Sequence, residues 1–397
     1  MRFPRVVAAT AVTLWRVKLG KGSKYSAIDT SPLSNYVMHP SWNAAVKLIP
    51  KRIAPNLLTF LGFLCMVVDV ALLWVYDYGY TASGGPGAVV NYDQSGVPHW
   101  VFPTCGVMLF LAYNLDGIDG KQARRIGVSG PLGEMFDHGL DSFIVFLIPY
   151  CLFSLFGRDH EFSVPIFRAF LQVISVVLNF YISHIEKYTT KTLYLPWGYD
   201  FSMWLSTLLF FGPCLCGPGV YKVYLFGNLT LVRVMEIAIH LTGLLTTLPI
   251  AVYNIYLHCH SPQGKNATLG SVLRPVWSML VMVVLVVTWA VASPNDVMSY
   301  DPRVFVLMFG IMFTNISSRL IVSCMTGQRC DLVCWLNFPL LLAVWVVLYM
   351  PRLEMLVMYL FTAFALAAHV HYGVCVVRQI CEYQNIRCFV VPKEKRR

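Results

Sequence analysis

From about residue 57 to residue 371 the chain alternates long apolar runs with short polar connections. Ten runs approach the ~20 residues that a helix needs to cross a hydrocarbon core. They lie near 57–76, 100–115, 142–157, 163–184, 202–220, 235–257, 276–292, 304–324, 333–350 and 354–371. In lipid a backbone must satisfy its own N–H and C=O groups, which a helix does within one segment. Each run therefore predicts a transmembrane helix, and the expected fold class is an all-α integral membrane protein. The second and third runs are short on their own. They lengthen once the polar turns between them are read as helix, which sets those turns just inside one membrane face.

Outside the runs the pattern changes. Residues 24–56 hold Pro32, Pro40, Pro50 and Pro55 with aromatics between them. They predict short amphipathic helices lying on the membrane surface. Residues 1–23 read as an interfacial segment anchored by Arg2, Arg5, Arg16, Lys18 and Lys21, with Val6–Trp15 as a short signal-like alternative. The division expected is a surface segment at 1–56, a membrane domain at 57–371 and a basic tail at 372–397. The longest polar loop, 77–99, is rich in Gly, Tyr and Ser, and no internal repeat is visible.

Composition agrees. Hydrophobic residues make up 57% of the chain and charged residues 13%, against roughly 25% charged in soluble domains. Mean hydropathy is +0.61. These values exclude a soluble or disordered chain. If the connections alternate sides from a cytosolic N-terminus, 23 Lys and Arg fall on the cytosolic side and five on the other, with Arg168 and Arg319 inside spans. That asymmetry places both termini on the cytosolic side. The +10 net charge is thus a topology signal, and with no basic soluble domain nucleic-acid binding is not expected. Lys393 and Lys395 near the C-terminus read equally as an endoplasmic-reticulum retrieval signal or as a basic tail for anionic lipid. Either keeps the protein on internal membranes, the endoplasmic reticulum first and the Golgi as the alternative. Of the sequons at Asn228, Asn266 and Asn315, only Asn228 falls on the lumenal side. The twelve cysteines read mainly as small buried apolar groups, and His258-Cys259-His260 is a weak metal pattern.

The chemistry concentrates between the second and third runs. Asp116 and Asp119 are three residues apart, and Asp137 and Asp141 four, so each pair shares one helix face. Two such helices facing each other bring four carboxylates around one point. Like charges so close cannot all stay ionised without cations. Oxygen ligands suit Mg²⁺ or Mn²⁺, and a pair of such ions clamps a phosphate or diphosphate. Gly120 and Gly133 leave room for a nucleotide or a neighbouring helix, and Arg124 can neutralise phosphate.

The full pattern, D-x2-D-G-x2-A-R-x8-G-x3-D-x3-D, resembles the signature of the CDP-alcohol phosphotransferases, with all eight defining positions present. Lys24–Thr30, Tyr36–Pro40, Ala54–Leu57, Gly120–Arg125, Phe136–Ser142, Leu195–Asp200, Asp301–Phe305 and His369–Gly373 resemble the eukaryotic choline/ethanolamine branch. Some members end in a selenocysteine-containing tail, which this chain lacks. The resemblance implies transfer of phosphoethanolamine from CDP-ethanolamine to diacylglycerol, with CMP released. CDP-choline, alone or as well, is the alternative donor. Family members are commonly dimeric, so a homodimer is the implied assembly. A transporter or a degenerate scaffold is the rival of another class, but a scaffold loses acids from such a motif and this chain keeps all four.

On that reading Asp116, Asp119, Asp137 and Asp141 hold two metals. His138 or Asp141 accepts the diacylglycerol proton, and Glu134, one turn before His138, orients it. Lys121 and Arg124 contact the diphosphate. Asn56 either reads the cytidine or caps its helix. Glu186, at the end of the fourth run, either faces the ethanolamine ammonium or pairs with Lys187. Arg168, Glu236, His240, Arg319, His369 and His371 are expected to pair within the bundle.

Overall fold

A computed structural model describes residues 27–81, 83, 96–195, 198–217, 219–264 and 268–392. The segment 1–23, the signal-like Val6–Trp15, Asn266, the centre of the 77–99 loop and the lysine tail after 392 lie outside the described residues.

A short helix, α1 (His39–Ala45), precedes ten longer ones. They are α2 (Pro55–Tyr76), α3 (Val101–Ile126), α4 (Pro131–Phe156), α5 (Ile166–Thr190), α6 (Gly198–Cys216), α7 (Leu231–Cys259, with a wide turn at Gly243–Thr247), α8 (Leu269–Ala292), α9 (Pro302–Thr326), α10 (Asn337–Tyr349) and α11 (Glu354–Gln384). Strand pairing is limited to Ala27–Asp29 beside Leu193–Leu195 in parallel, and a small hairpin at Tyr224–Thr230. The all-α membrane fold is as the hydrophobic pattern indicates, and every predicted run falls on a helix.

The count of ten spans is not reproduced by length and composition. Eight helices among the described residues are long and apolar enough to cross a membrane, and α6 and α10 are not among them. With 13 residues, α10 extends only about 20 Å. The loop before it folds inward. Cys330, Cys334 and Leu336 are buried, Cys334 N–H donates to Ser278 Oγ at 2.8 Å, and Asn337 Nδ2 donates to the Ser278 carbonyl at 2.9 Å. Ser278 lies well inside α8, so these backbone groups of the loop are satisfied against a neighbouring helix.

The centre of the bundle is α9, which is buried almost all round. It packs closely on α4 at Gly310, where an added Cβ would sit 2.3 Å from the Phe146 ring.

The two ends of the bundle differ. One end is latched by buried polar clusters. Arg303, fully buried, donates to the Asp77 carbonyl at 2.6 Å and Ser154 Oγ at 2.7 Å, and lies 3.8 Å from the Tyr80 ring centroid. Glu354 accepts from Trp289 Nε1, Ser293 Oγ and the Asn295 N–H at 2.6–3.0 Å. Asp301 caps α9 and accepts from Tyr78 and Tyr359 hydroxyls. Lys222 is buried against Asp159. Arg168 pairs with Glu236 here too, as expected for intramembrane charges.

The other end gathers the start of α2, the end of α3, the start of α4 and the end of α5. The sequence fixes the α3–α4 turn locally. Gly127 closes α3 in the left-handed conformation at φ 64°, and Pro131 opens α4 after an extended Gly130. Residues 46–53 are sewn onto α3 by its own side chains. Gln122 donates to the Pro50 and Ile53 carbonyls, and Arg125 to those of Val46 and Ile49. The helix α11 runs to Gln384, well into the stretch expected as a tail, and residues after it fold back onto this end.

Candidate active site

The α3–α4 turn lays the two halves of the motif side by side. Oxygens of Asp116, Asp119 and Asp137 lie within 4.8 Å of one another, and so do ligand atoms of Asp137, His138 and Asp141. These are the groups among the described residues able to hold a metal ion, and His258-Cys259-His260 is not one of them.

Charge balance at this cluster is unusual. No Lys or Arg among the described residues forms an ion pair with any of the four aspartates, and the one ionic partner is His138, whose Nδ1 is 3.6 Å from Asp141 Oδ2. Asp116 Oδ1 is buried with no hydrogen-bond partner. A buried, unsatisfied carboxylate oxygen beside two more carboxylates is costly unless a cation joins them. The donor set is oxygen-rich and hard, which fits Mg²⁺ or Mn²⁺.

Neighbouring helices hold these carboxylates in place. Thr59, one turn after Asn56 on α2, donates its hydroxyl to Asp119 Oδ2. Tyr199, at the start of α6, reaches Asp116 Oδ2 at 3.5 Å, and Tyr113 donates to Asp200 beside it. Gly117 lies under Trp42 of α1, where an added Cβ would come within 2.2 Å of the indole. Trp42 Nε1 in turn donates to Asn114 Oδ1 at 3.0 Å.

Other predicted site residues are placed as follows. Lys121 Nζ donates to Asn43 Oδ1 at 2.8 Å on the rim, and Arg124 is exposed with its guanidinium beside Gly120. His39, nearby on α1, is held below its ordinary pKa by partial burial and by the Lys121 ammonium. Gly133 borders the Asn56 amide oxygen, 3.6 Å from where a Cβ would stand. Asn56 is not a helix cap. It is the second residue of α2, behind Pro55, and Ala54 occupies the cap position without a side-chain bond. Its Nδ2 donates instead to the Cys388 carbonyl at 3.0 Å.

Two expectations change. Glu134 does not orient His138, because it closes on Lys187 of α5 at 2.7 Å. The ring against His138 is His184, centroids 5.4 Å apart and nearly perpendicular, with His184 Nδ1 bound to the Phe180 carbonyl at 2.9 Å. Glu186 neither pairs with Lys187 nor meets the aspartates in any described contact. It is buried against Asn254 of α7, whose Nδ2 donates at 2.6 Å. One residue along a helix turns the side chain by about 100°, so His184 and Lys187 face α4 while Glu186 faces α7. His369 is buried deeper in the bundle, near Asn315 and against Phe143.

Thr59, Tyr199 and His184 join the site unannounced by the sequence, and Lys187, expected only as a partner for Glu186, closes on Glu134. Thr59 carried a signal, since it shares a helix face with Asn56, and His184 stood in the segment that contains Glu186.

Comparison with known proteins gives the site a family. The CDP-alcohol phosphatidyltransferase family model matches residues 52–247, which contain the whole cluster. The chain belongs to that family. It is 40% identical over 93% of its length to mouse ethanolaminephosphotransferase 1, covering 92% of that protein, and 39% identical over the same shares to the human protein of that name. Choline/ethanolaminephosphotransferase 2 of Arabidopsis thaliana is 28% identical over 94% of this chain and 97% of its own.

Proposed function

We propose that this chain is an ethanolaminephosphotransferase, which transfers phosphoethanolamine from CDP-ethanolamine to the hydroxyl of diacylglycerol and releases CMP. The observation that carries the reading is the four-aspartate cluster, with its orphaned Asp116 oxygen and no basic ion-pair partner among the described residues, in a chain so similar to the ethanolaminephosphotransferases.

Asp116, Asp119 and Asp137 would hold one divalent cation, and Asp141 would complete a second site. Cations bound there would neutralise the diphosphate and stabilise the charge that grows on its oxygens as CMP leaves. Thr59 fixes the Asp119 carboxylate. Lys121 and Arg124, on the rim, receive the diphosphate, and Gly120 and Gly133 leave the approach open. His138 accepts the proton from the diacylglycerol hydroxyl. Its Nδ1 is oriented by Asp141 and its ring is held by His184. Asp141 is the competing base. Diacylglycerol arrives from the bilayer.

The charge asymmetry supports a cytosolic site and cytosolic termini in the endoplasmic reticulum membrane. A second reading is dual use of CDP-choline, favoured by the likeness to the Arabidopsis choline/ethanolaminephosphotransferases. The test is product analysis by wild-type protein in liposomes containing diacylglycerol, given each donor separately with Mn²⁺. Phosphatidylethanolamine in large excess supports the proposal. Comparable phosphatidylcholine establishes the dual enzyme, and neither product removes both readings.

A further inference from the structure

After α11 the chain reverses at Asn385, a left-handed cap with φ 50°, and Ile386 N–H bonds back to the Cys381 carbonyl at 3.0 Å. The next residues cross the motif-side ends of three helices. Cys388 carbonyl and Sγ accept from Asn56 Nδ2 at 3.0 and 3.5 Å. The Phe389 ring packs on Phe60 of α2 and Phe136 of α4, at 5.8 and 5.6 Å between centroids. Val391 is 1% exposed, buried with Ala54 and Ile126. Phe136 directly precedes Asp137. These contacts tie the start of α2, the end of α3 and the start of α4 together at the motif.

The hydrogen bond to Cys388 also decides which way the Asn56 amide points. A main-chain carbonyl only accepts, so the group facing it must be the NH₂ end. The amide oxygen is then the end presented to the gap over Gly133. An oxygen so presented takes an N–H or O–H from a ligand and disfavours an acceptor.

We propose that Cys388–Val391 is a positioning strap for the CDP-alcohol site, which acts through Asn56 by turning its amide oxygen toward the gap at Gly133. The inference rests on the phosphotransferase reading above and adds a segment far from the motif in sequence. Anchoring by Phe389 and Val391 removes freedom from Asn56 before the donor arrives, so its effect belongs in donor binding.

The test uses the full-length protein as wild type, Phe389→Ala, Val391→Ala, Asn56→Ala and the double variant Asn56→Ala/Phe389→Ala. KM is measured for CDP-ethanolamine and for diacylglycerol separately, with melting temperature alongside. Phe389→Ala should raise KM for the CDP-alcohol by roughly tenfold and leave KM for diacylglycerol unchanged. Asn56→Ala should give the same rise, and the double variant no more than either. Maleimide labelling of Cys388, read by peptide mass spectrometry, should speed up in Phe389→Ala, and CDP-ethanolamine should slow it in wild type. If Phe389→Ala does not fold, Val391→Ala carries the same expectations. Additive effects in the double variant, a loss confined to kcat, or unchanged donor KM in both strap variants would overturn the strap. Asp116→Asn serves as the control. If it stays active the phosphotransferase reading itself fails, whereas an inactive Asp116→Asn beside unchanged strap variants removes only this inference.

Discussion

Glu134 and Lys187 close a buried ion pair at 2.7 Å, joining the helix that carries Asp137, His138 and Asp141 to the helix that carries His184. The pair holds α4 and α5 in register at the motif end. Removing Lys187 leaves the Glu134 carboxylate without this pairing in the bundle, which typically costs about 3–5 kcal/mol. Lys187→Met should therefore lower the melting temperature and the activity together. Lys187→Met/Glu134→Gln should recover much of the stability, because the stranded carboxylate is gone. A double variant no more stable than Lys187→Met would refute a direct pairing.

Thr59 donates to Asp119 Oδ2, so it should matter for metal affinity rather than for the reaction itself. Groups in that position typically contribute 10–100-fold in affinity. Thr59→Val should shift half-maximal Mn²⁺ activation upward by about that factor, and Thr59→Ser should restore it. The same shift should appear in Mn²⁺-dependent thermal stabilisation measured without substrate. Activation curves that coincide for wild type and Thr59→Val would remove this role.

Gly117 separates the two first-half aspartates and lies beneath Trp42. Gly117→Ala should push the indole off Asn114 and loosen α1 from α3, at a cost of about 1–3 kcal/mol for such overpacking. Activity should fall with stability, and tryptophan fluorescence should report a more exposed ring. An alanine variant as stable and active as wild type would show that α1 does not sit there in solution.

Divalent cation should also stabilise the resting protein. Binding to the folded state alone adds about 2.7 kcal/mol at a ligand concentration 100 times its Kd. Chelation should lower the melting temperature of wild type, and Asp137→Asn should lose that response. A melting temperature indifferent to chelation and to Mn²⁺ would contradict a metal site among these acids.

Much of this was legible in the sequence, for definite reasons. The period of the apolar runs gave the helices. The three- and four-residue spacings put each aspartate pair on one helix face, which is a local property. Contacts between helices were less accessible. Lys187 and Glu186 are adjacent in sequence, yet only packing against α4 and α7 decides which of them faces the motif. For the same reason spacing alone sets Glu134 against its own helix neighbour His138 and not against α5. From its place in the sequence Asn56 reads as a cap or a cytidine contact. Its partner lies more than 300 residues away, at Cys388. The run at 333–350 reads as a span in the apolar pattern, yet α10 within it has only 13 residues, because the loop before it folds inward.

The most direct test of the central claim joins metal to transfer at one residue. Wild type and Asp116→Asn, purified to equal fold and stability, would be titrated with Mn²⁺ by electron paramagnetic resonance. They would then be assayed with CDP-ethanolamine and diacylglycerol. The account predicts Mn²⁺ binding and phosphatidylethanolamine synthesis in wild type. In Asp116→Asn binding should weaken, and the rate should fall by on the order of a thousandfold. Transfer by Asp116→Asn at the wild-type rate, with unchanged Mn²⁺ binding, would contradict it.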